Sequence, residues 1–462
     1  MIEAEALLAK LRQSADADAA DAIGRLVRDA PDRRLNRVNA LAFAAEAGLD
    51  EERTIAAFLH AACIGLFELS WNVLCPGCGG VLDAGATLKS LDKEEYRCGL
   101  CAAGYEPTLD EIVEVTFTIS PRVRRIAAHN PDELPFVEYF RQVVWSSGVD
   151  LPEDSFEDLL EEMMLEALEL PPGDRAIVSL QLPPEHVLVS DPVTHAAQFI
   201  EVKGEPTGQR QSLDIILDKL HRHIEPVEMR PGPVRMSFEN RTDTRVLPSV
   251  CIAGDALGRM LCRRRPYLTA KRLLTNQTFR DLYRTDTLDI DQRFKITSLT
   301  FLFTDLRGST ALYERVGDLA AFDLVRAHFQ VLIEIVAAEA GAVVKTIGDA
   351  VMATFPTSER AVAAALSMRE AMRRFNEERG HQDLLLKIGI HEGSCLAVTL
   401  NDRQDYFGQT VNIASRVQGL AVSRSIYATG AVVEQPLVSK LLETAGLKPM
   451  PQRRSLKGIT DD

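Results

Sequence analysis

The stretch Leu299-Thr300-Phe301-Leu302-Phe303-Thr304-Asp305-Leu306-Arg307-Gly308-Ser309-Thr310 reads as an apolar strand ending on an aspartate, then a tight turn and a helix start. A carboxylate at a strand end, beside backbone groups freed by the turn, is a good seat for a hard divalent cation. Asp349 follows 44 residues later, within Val343-Val344-Lys345-Thr346-Ile347-Gly348-Asp349-Ala350-Val351-Met352-Ala353-Thr354-Phe355. This segment predicts a β-hairpin with Ile347-Gly348-Asp349-Ala350 as its turn and apolar strands on either side. Asp349 would then approach Asp305 from an adjacent strand. Two carboxylates holding two Mg²⁺ ions clamp phosphate oxygens, activate a hydroxyl and stabilise a leaving group. Each aspartate alone is a weak signal, because Asp in a turn is more often a turn former than a ligand.

A third block strengthens the pair. Asp405-Tyr406-Phe407-Gly408-Gln409-Thr410-Val411-Asn412-Ile413-Ala414-Ser415-Arg416 enters a helix with Asn412 and Arg416 four residues apart. That spacing stacks an amide and a guanidinium on one helical face. A planar guanidinium suits phosphate oxygens, which it binds bidentately.

These three blocks, in this order, resemble the class III adenylyl/guanylyl cyclases, over residues 295–462. The resemblance implies a ferredoxin-like α/β domain working as a head-to-tail homodimer. Asp305 and Asp349 match the two aspartates that hold two Mg²⁺ or Mn²⁺ ions per active site, with the backbone carbonyl of Leu306 completing one shell. Lys345 and Asp405 match the pair that reads the purine. Asn412 matches the residue that orients the ribose, Arg416 the one that steadies the α-phosphate, and Lys457 a lysine that binds the terminal phosphates. One subunit gives the aspartates and its partner the other five, so a homodimer has two complete sites. No side chain stands out as a general base. Two departures from the family pattern bear on the dimer contact: Ser394-Cys395-Leu396-Ala397-Val398 lacks the second glycine common after Gly393, and the arm Thr399–Gln404 is short.

The base-reading pair selects the substrate. Adenine offers a ring-nitrogen acceptor and an amino donor, which a lysine and an aspartate complement. Guanine would turn a carbonyl toward Asp405, and a mismatched buried polar pair costs about 1–3 kcal/mol. The resemblance implies glutamate and cysteine at these places in guanylyl cyclases. The expectation is therefore an adenylate cyclase that converts ATP to 3′,5′-cyclic AMP and pyrophosphate. The alternatives are a guanylate or mixed-specificity cyclase and, from a different class, a non-catalytic nucleotide-binding signalling module.

Upstream, Cys75-Pro76-Gly77-Cys78 and Cys98-Gly99-Leu100-Cys101 form two CxxC knuckles 19 residues apart. Four thiolates at this spacing suit one structural Zn²⁺, since a four-thiolate site leaves no open position. An iron–sulfur cluster or a redox dithiol pair is the alternative. With Val81–Arg97 as a two-stranded excursion, the segment looks like a zinc ribbon. Before it, Val38–Gly48 and Glu51–Leu66 read as helices around a glycine turn, similar to a helix-turn-helix. The second opens on Asp50, Glu51 and Glu52, the wrong sign for a helix entering a DNA groove. Ser155–Leu170 reads as an acidic helix with a Leu/Met stripe. Runs at Ala176–Leu182, Ala197–Val202 and Val234–Glu239 between Pro, Gly, Asp and Asn turns read as a β-rich domain, a small sandwich. Leu268–Tyr283 reads as a helix.

The whole is expected to be a multidomain α+β chain: a helical, helix-turn-helix-like region (1–74), a zinc ribbon (75–105), a mixed and helical segment (106–171), a β-rich domain (172–254), a helical connector (255–296) and the cyclase domain (297–462). Residues 1–290 lie outside the cyclase resemblance and look like an uncharacterised N-terminal domain that precedes some bacterial cyclases, here expected to be regulatory. With 462 residues, 46% hydrophobic and 26% charged, the chain has the composition of an ordinary globular protein. Its net charge of -15 argues against nonspecific binding to nucleic acid or to an anionic membrane, which both need a basic footprint. No run approaches the ~20 apolar residues that span a bilayer, and the N-terminus lacks a signal-peptide pattern. A cytoplasmic protein is expected.

Overall fold

In the computed structural model, the strand that ends near Asp305 runs from Phe294 to Leu306 (β1) through the middle of a six-stranded sheet. The structure describes residues 2–91, 95–98, 100–101, 103–218, 225–283, 293–307, 314–378, 384–400 and 403–456. The chain divides into two units: Met1–Pro107 with Glu111–Leu268, and Thr108–Asp110 with Thr269–Asp462. The expected connector 255–296 thus contributes to both.

In the second unit β1 is followed by α1 (Asp318–Ala338), the hairpin β2 (Ala342–Ile347) and β3 (Ala350–Phe355), and α2 (Ser358–Glu378). Then come β4 (Leu386–Leu400), β5 (Arg403–Phe407), α3 (Gln409–Leu420) and β6 (Ile426–Ala428). The sheet order is β2-β3-β1-β4-β5, with β6 parallel to β4. Apolar side chains alternate out of the sheet to meet α1 and α2: Leu302, Val351, Ala353, Phe355, Ile388 and Ile390 against Val325, Leu332, Val336, Ala365 and Met368. The helices cover that face because their own apolar positions recur every three or four residues.

The other face of β4 carries Gly389 and Gly393, and α3 rests directly on them. A Cβ at Gly389 would sit 2.1 Å from the backbone nitrogen of Gln418, and one at Gly393 2.8 Å from Thr410 Oγ1. The two glycines therefore set how closely the helix bearing Asn412 and Arg416 approaches the sheet. β1 is interrupted between Ile296 and Leu299. There the Asp110 carboxylate accepts hydrogen bonds from the freed N–H groups of Thr297 (3.0 Å) and Ser298 (3.2 Å). The expected helix Leu268–Tyr283 is two short ones, Ala270–Leu274 and Gln277–Leu282. The break comes at Asn276, whose extended backbone and side chain, accepting from Phe279 N–H at 3.1 Å, make it an N-cap.

The first unit begins with four helices, the last two being Ala40–Ala47 and Glu51–Cys63. Asn39 and Asp50 cap their N-termini, and Gly48 ends the third at φ 66°. Phe43 and Phe58 pack edge to face at 5.3 Å, and Phe58 also meets Phe67 and Phe117. The glycine-turn pair is thus held on a sheet of Val81–Gly85, Phe67–Leu74 and Val113–Ile119. The ribbon reading needs a correction. Val81–Gly85 pairs with Phe67–Leu74, whereas the second knuckle lies on a separate hairpin, Tyr96–Cys98 with Ala103–Tyr105. The acidic helix of 155–170 is also shorter than expected. It spans Phe156–Met163, and Met164–Ala167 becomes a strand because Ser249–Cys251 offers it a ladder, a tertiary pairing that overrides helix propensity. Beyond it, a three-stranded and a five-stranded sheet share one apolar core, including Leu182, Val187, Ile200, Met236 and Phe238.

The α3 seat makes a test of the packing. Gly389→Ala should destabilise by about 1–3 kcal/mol through overpacking against helix backbone. Gly419→Ala, with nothing within 4 Å of its Cβ, should be neutral or stabilising by up to about 1 kcal/mol. Thermal unfolding of both variants checks this, and equal melting points would contradict the contact.

Candidate active site and cysteine cluster

The β1–β3 ladder places the two aspartates together. Phe303 pairs with Met352 and Thr304 with Val351. One step further along β1 is Asp305, and one step back along β3 is Ala350, which follows directly on the Gly348-Asp349 turn. Gly348 has φ 63°, the left-handed value that a two-residue hairpin needs at its first central position. Asp305 and Asp349 therefore sit at the same end of neighbouring strands, and Leu306 follows on β1 as a buried residue.

Their surroundings differ. Oδ2 of Asp349 is buried and has no hydrogen-bond partner among the described residues. A buried carboxylate oxygen left bare costs free energy unless a cation or a donor meets it. Asp305 is half-buried, with the ammonium of Lys387, directly across the β1–β4 ladder, 3.4 Å from its Oδ2. A hard oxygen donor pair with one unsatisfied oxygen fits Mg²⁺ or Mn²⁺.

His328 on α1 belongs to the same surroundings. Burial pushes its pKa down to about 4, with the charge of Asp349 acting in the opposite direction. Its Nε2 is buried without a partner among the described residues, while Nδ1 lies 3.2 Å from Met372 Sδ. The sequence alone marks neither Lys387 nor His328. A lysine in a strand reads as surface charge, and a histidine in an apolar helix reads as core.

Lys345 and Asp405 meet in space. They lie on β2 and β5, the two ends of the sheet path, yet Lys345 Nζ is 2.5 Å from Asp405 Oδ2. The aspartate is 10% exposed and the lysine 43%. Asp405 Oδ1 also accepts its neighbour's N–H, from Tyr406, at 2.9 Å. One partner is thus fixed and buried while the other reaches outward.

Asn412 and Arg416 project from α3 into solvent. Among the described residues neither bonds to the aspartates or to the Lys345–Asp405 pair. Lys457 lies outside the described residues. Large apolar side chains are exposed around the same edges, with Ile347 53%, Leu400 48% and Phe407 66% accessible.

In the first unit, the sulfurs of Cys75, Cys78, Cys98 and Cys101 all lie within 4.8 Å of one another. Cys75 and Cys101 are 3.6 Å apart, and Cys78 and Cys98 3.5 Å. A tetrahedron of 2.3 Å metal–sulfur bonds has edges of about 3.8 Å. The N–H of Gly80 points at Cys78 Sγ (3.4 Å). Gly77 lets the first knuckle approach the second, since a Cβ there would stand 3.1 Å from Cys101 Sγ. The donor set and its spacing fit a closed tetrahedral metal site, and the corrected strand pairing leaves that cluster intact.

Comparison with known proteins also divides the chain in two, with the boundary between residues 281 and 292. Residues 292–445 match the adenylate and guanylate cyclase catalytic domain. An adenylate cyclase of Anabaena cylindrica is 29% identical over 175 residues, covering 35% of this chain and 34% of that protein. Adenylate cyclase 1 of Rhizobium meliloti is 30% identical over 153 residues, covering 30% of this chain and 23% of that protein. The chain thus spans about a third or less of the length of these relatives. Among solved structures, the adenylyl cyclase CyaB from P. aeruginosa is 25% identical, with 37% of this chain and 92% of that chain covered, at a TM-score of 0.32. No helix among the described residues is long and apolar enough to cross a membrane. Residues 1–281 match a family described as of unknown function, DUF5939. With that match spanning more than half of its length, the chain belongs to the DUF5939 family, and it carries a class III adenylate/guanylate cyclase catalytic domain after that region.

Proposed function

We propose that the second unit cyclises ATP to 3′,5′-cyclic AMP and pyrophosphate, in a homodimer whose sites are shared between copies. The 3′-oxygen forms a bond to the α-phosphorus, the bond from that phosphorus to the pyrophosphate oxygen breaks, and the 3′-hydroxyl proton is released. Lys345 and Asp405 read the adenine edge. The lysine donates to a ring nitrogen and the buried Asp405 accepts from the amino group. Asn412 holds the ribose, and Arg416 meets the charge that grows on the α-phosphate. Lys457 binds the terminal phosphates, and Lys387, beside Asp305, adds a further cation for phosphate charge.

Asp305 and Asp349, with the Leu306 carbonyl, would hold two Mg²⁺ or Mn²⁺ ions. When bound, these supply a lowered hydroxyl pKa and neutralisation of phosphate charge. The exposure of Asn412 and Arg416, together with the apolar Ile347, Leu400 and Phe407, supports a partner copy completing each site. The four-thiolate cluster is read as one structural Zn²⁺, and the first unit as the regulatory part. We place the protein in the cytoplasm, where ATP is available and thiols stay reduced.

The observation that carries the adenine reading is the 2.5 Å Lys345–Asp405 ion pair, in which a buried acceptor sits beside an exposed donor. Guanine would put its carbonyl against Asp405. Product formation from ATP and GTP at equal concentration should favour ATP by roughly ten- to a hundredfold. Lys345→Glu with Asp405→Cys should shift that preference toward GTP. Equal or faster turnover of GTP by the unaltered protein would favour the mixed-specificity alternative instead. Metal analysis of the purified full chain should give one zinc per chain, lost in Cys78→Ser together with thermal stability. Stoichiometric iron, or no metal at all, would contradict the zinc assignment.

A further inference from the structure

Arg280 lies on the short helix Gln277–Leu282 and belongs to none of the site residues above. Its Nη2 donates to two main-chain carbonyls, Gln404 O at 2.9 Å and, more weakly, Val344 O at 3.4 Å. Gln404 precedes Asp405 and Val344 precedes Lys345. One guanidinium nitrogen therefore ties β5 to β2 at the residues next to the base-reading pair.

The neighbouring contacts repeat the pattern. Gln277 Oε1 accepts the N–H of Val343 at 2.8 Å, where the β2–β3 ladder shifts register between Val343 and Lys345. On the β5 side, the Tyr406 hydroxyl donates to Leu274 O at 3.4 Å. The segment 269–283 thus grips both strands on either side of Lys345 and Asp405.

Meanwhile Nη1 of Arg280 is buried with no partner among the described residues. Leaving a guanidinium nitrogen without an acceptor costs free energy, and an apolar side chain would pack there without that cost. A half-buried cation that spends one nitrogen on two carbonyls suits a brace better than a packing residue. The Lys345–Asp405 contact spans opposite ends of the sheet path, so no ladder between their strands fixes the distance. The contacts of segment 269–283 bridge the two strands directly.

We propose that Arg280 is a positioning residue that sets the separation of Lys345 and Asp405, and through it the purine selectivity of the site. The proposal rests on the reading of that pair as the adenine contact. It also gives the segment leaving residue 268 a direct hold on substrate choice.

The test measures kcat/KM for ATP and for GTP on the full chain. Four proteins are compared: unaltered, Arg280→Met, Lys345→Met with Asp405→Asn, and the combination of all three. Arg280→Met should lower the ATP:GTP ratio roughly tenfold or more, mainly through KM for ATP, because a misplaced contact of about 1 Å carries effects of up to about a hundredfold. In the Lys345→Met, Asp405→Asn background the same change should move the ratio less than about twofold, since the pair it acts through is gone. An equal loss on both substrates would mean a purely structural cross-link and overturn the proposal, as would an undiminished shift in the paired background. Should Arg280→Met fail to fold, Gln277→Ala removes one grip and keeps the guanidinium. It should shift the ratio in the same direction by less, and an unchanged ratio overturns the proposal. If the unaltered protein shows no preference for ATP, the adenine reading itself falls and this proposal with it. An ATP preference kept intact in Arg280→Met overturns this proposal alone.

Discussion

The site hangs on one hairpin, β2–β3, and on its register against β1. Its turn carries Asp349 and its first strand carries Lys345, four residues earlier. Pairing Thr304 with Val351 brings that turn beside Asp305. The same docking sends Lys345 outward to Asp405. A one-residue slip of β3 would turn every side chain to the opposite face, burying polar groups and separating the carboxylates. The apolar run of β3 against α1 and α2 fixes the register. In this way core packing sets where the hairpin docks, and with it the placement of the two carboxylates.

Around this hairpin, each group is held to the degree its proposed role requires. Asp405 is buried and hydrogen-bonded, Lys345 is reachable, and Asn412 and Arg416 stand clear of the surface on a helix seated on two glycines. The Asp349 oxygen without a partner among the described residues and the buried His328, its pKa pushed down, are costs that a self-contained fold would avoid. Their concentration at the end of β1 and β3 agrees with a region built to receive a cation and charged substrate.

The catalytic part was the more legible in the sequence, for physical reasons. Asp305 follows an apolar strand and Asp349 a glycine that tolerates positive φ, so both were marked by local rules. The meeting of Lys345 with Asp405 came only through the family resemblance, because 60 residues and opposite ends of the sheet path separate them. Lys387 and Arg280 left no signal at all. Their roles depend on which strand or carbonyl faces them, and a lysine or arginine in isolation reads as solvated charge. In the first unit the CxxC spacing identified the thiolate cluster, yet it misassigned the strands. Val81–Gly85 had a stronger partner in Phe67–Leu74 than in its own return segment. Likewise Met164–Ala167 looked helical until a distant strand paired with it. Local pattern speaks to turns, caps and ligand spacing, whereas ladders between remote segments answer to tertiary competition.

The central claim is that one chain carries two complementary half-sites, with the aspartates in one and Asn412 and Arg416 in the other. Mixing two full-length variants tests it most directly. Asp305→Ala loses the cation half and Arg416→Ala the transition-state half, so each alone should be inactive. Co-refolded or exchanged in equal amounts, they should recover up to about a quarter of the unaltered activity, because half of the dimers are mixed and each mixed dimer has one intact site of two. No recovery, with mixed dimers shown to form, would contradict the account and place the whole site within a single chain.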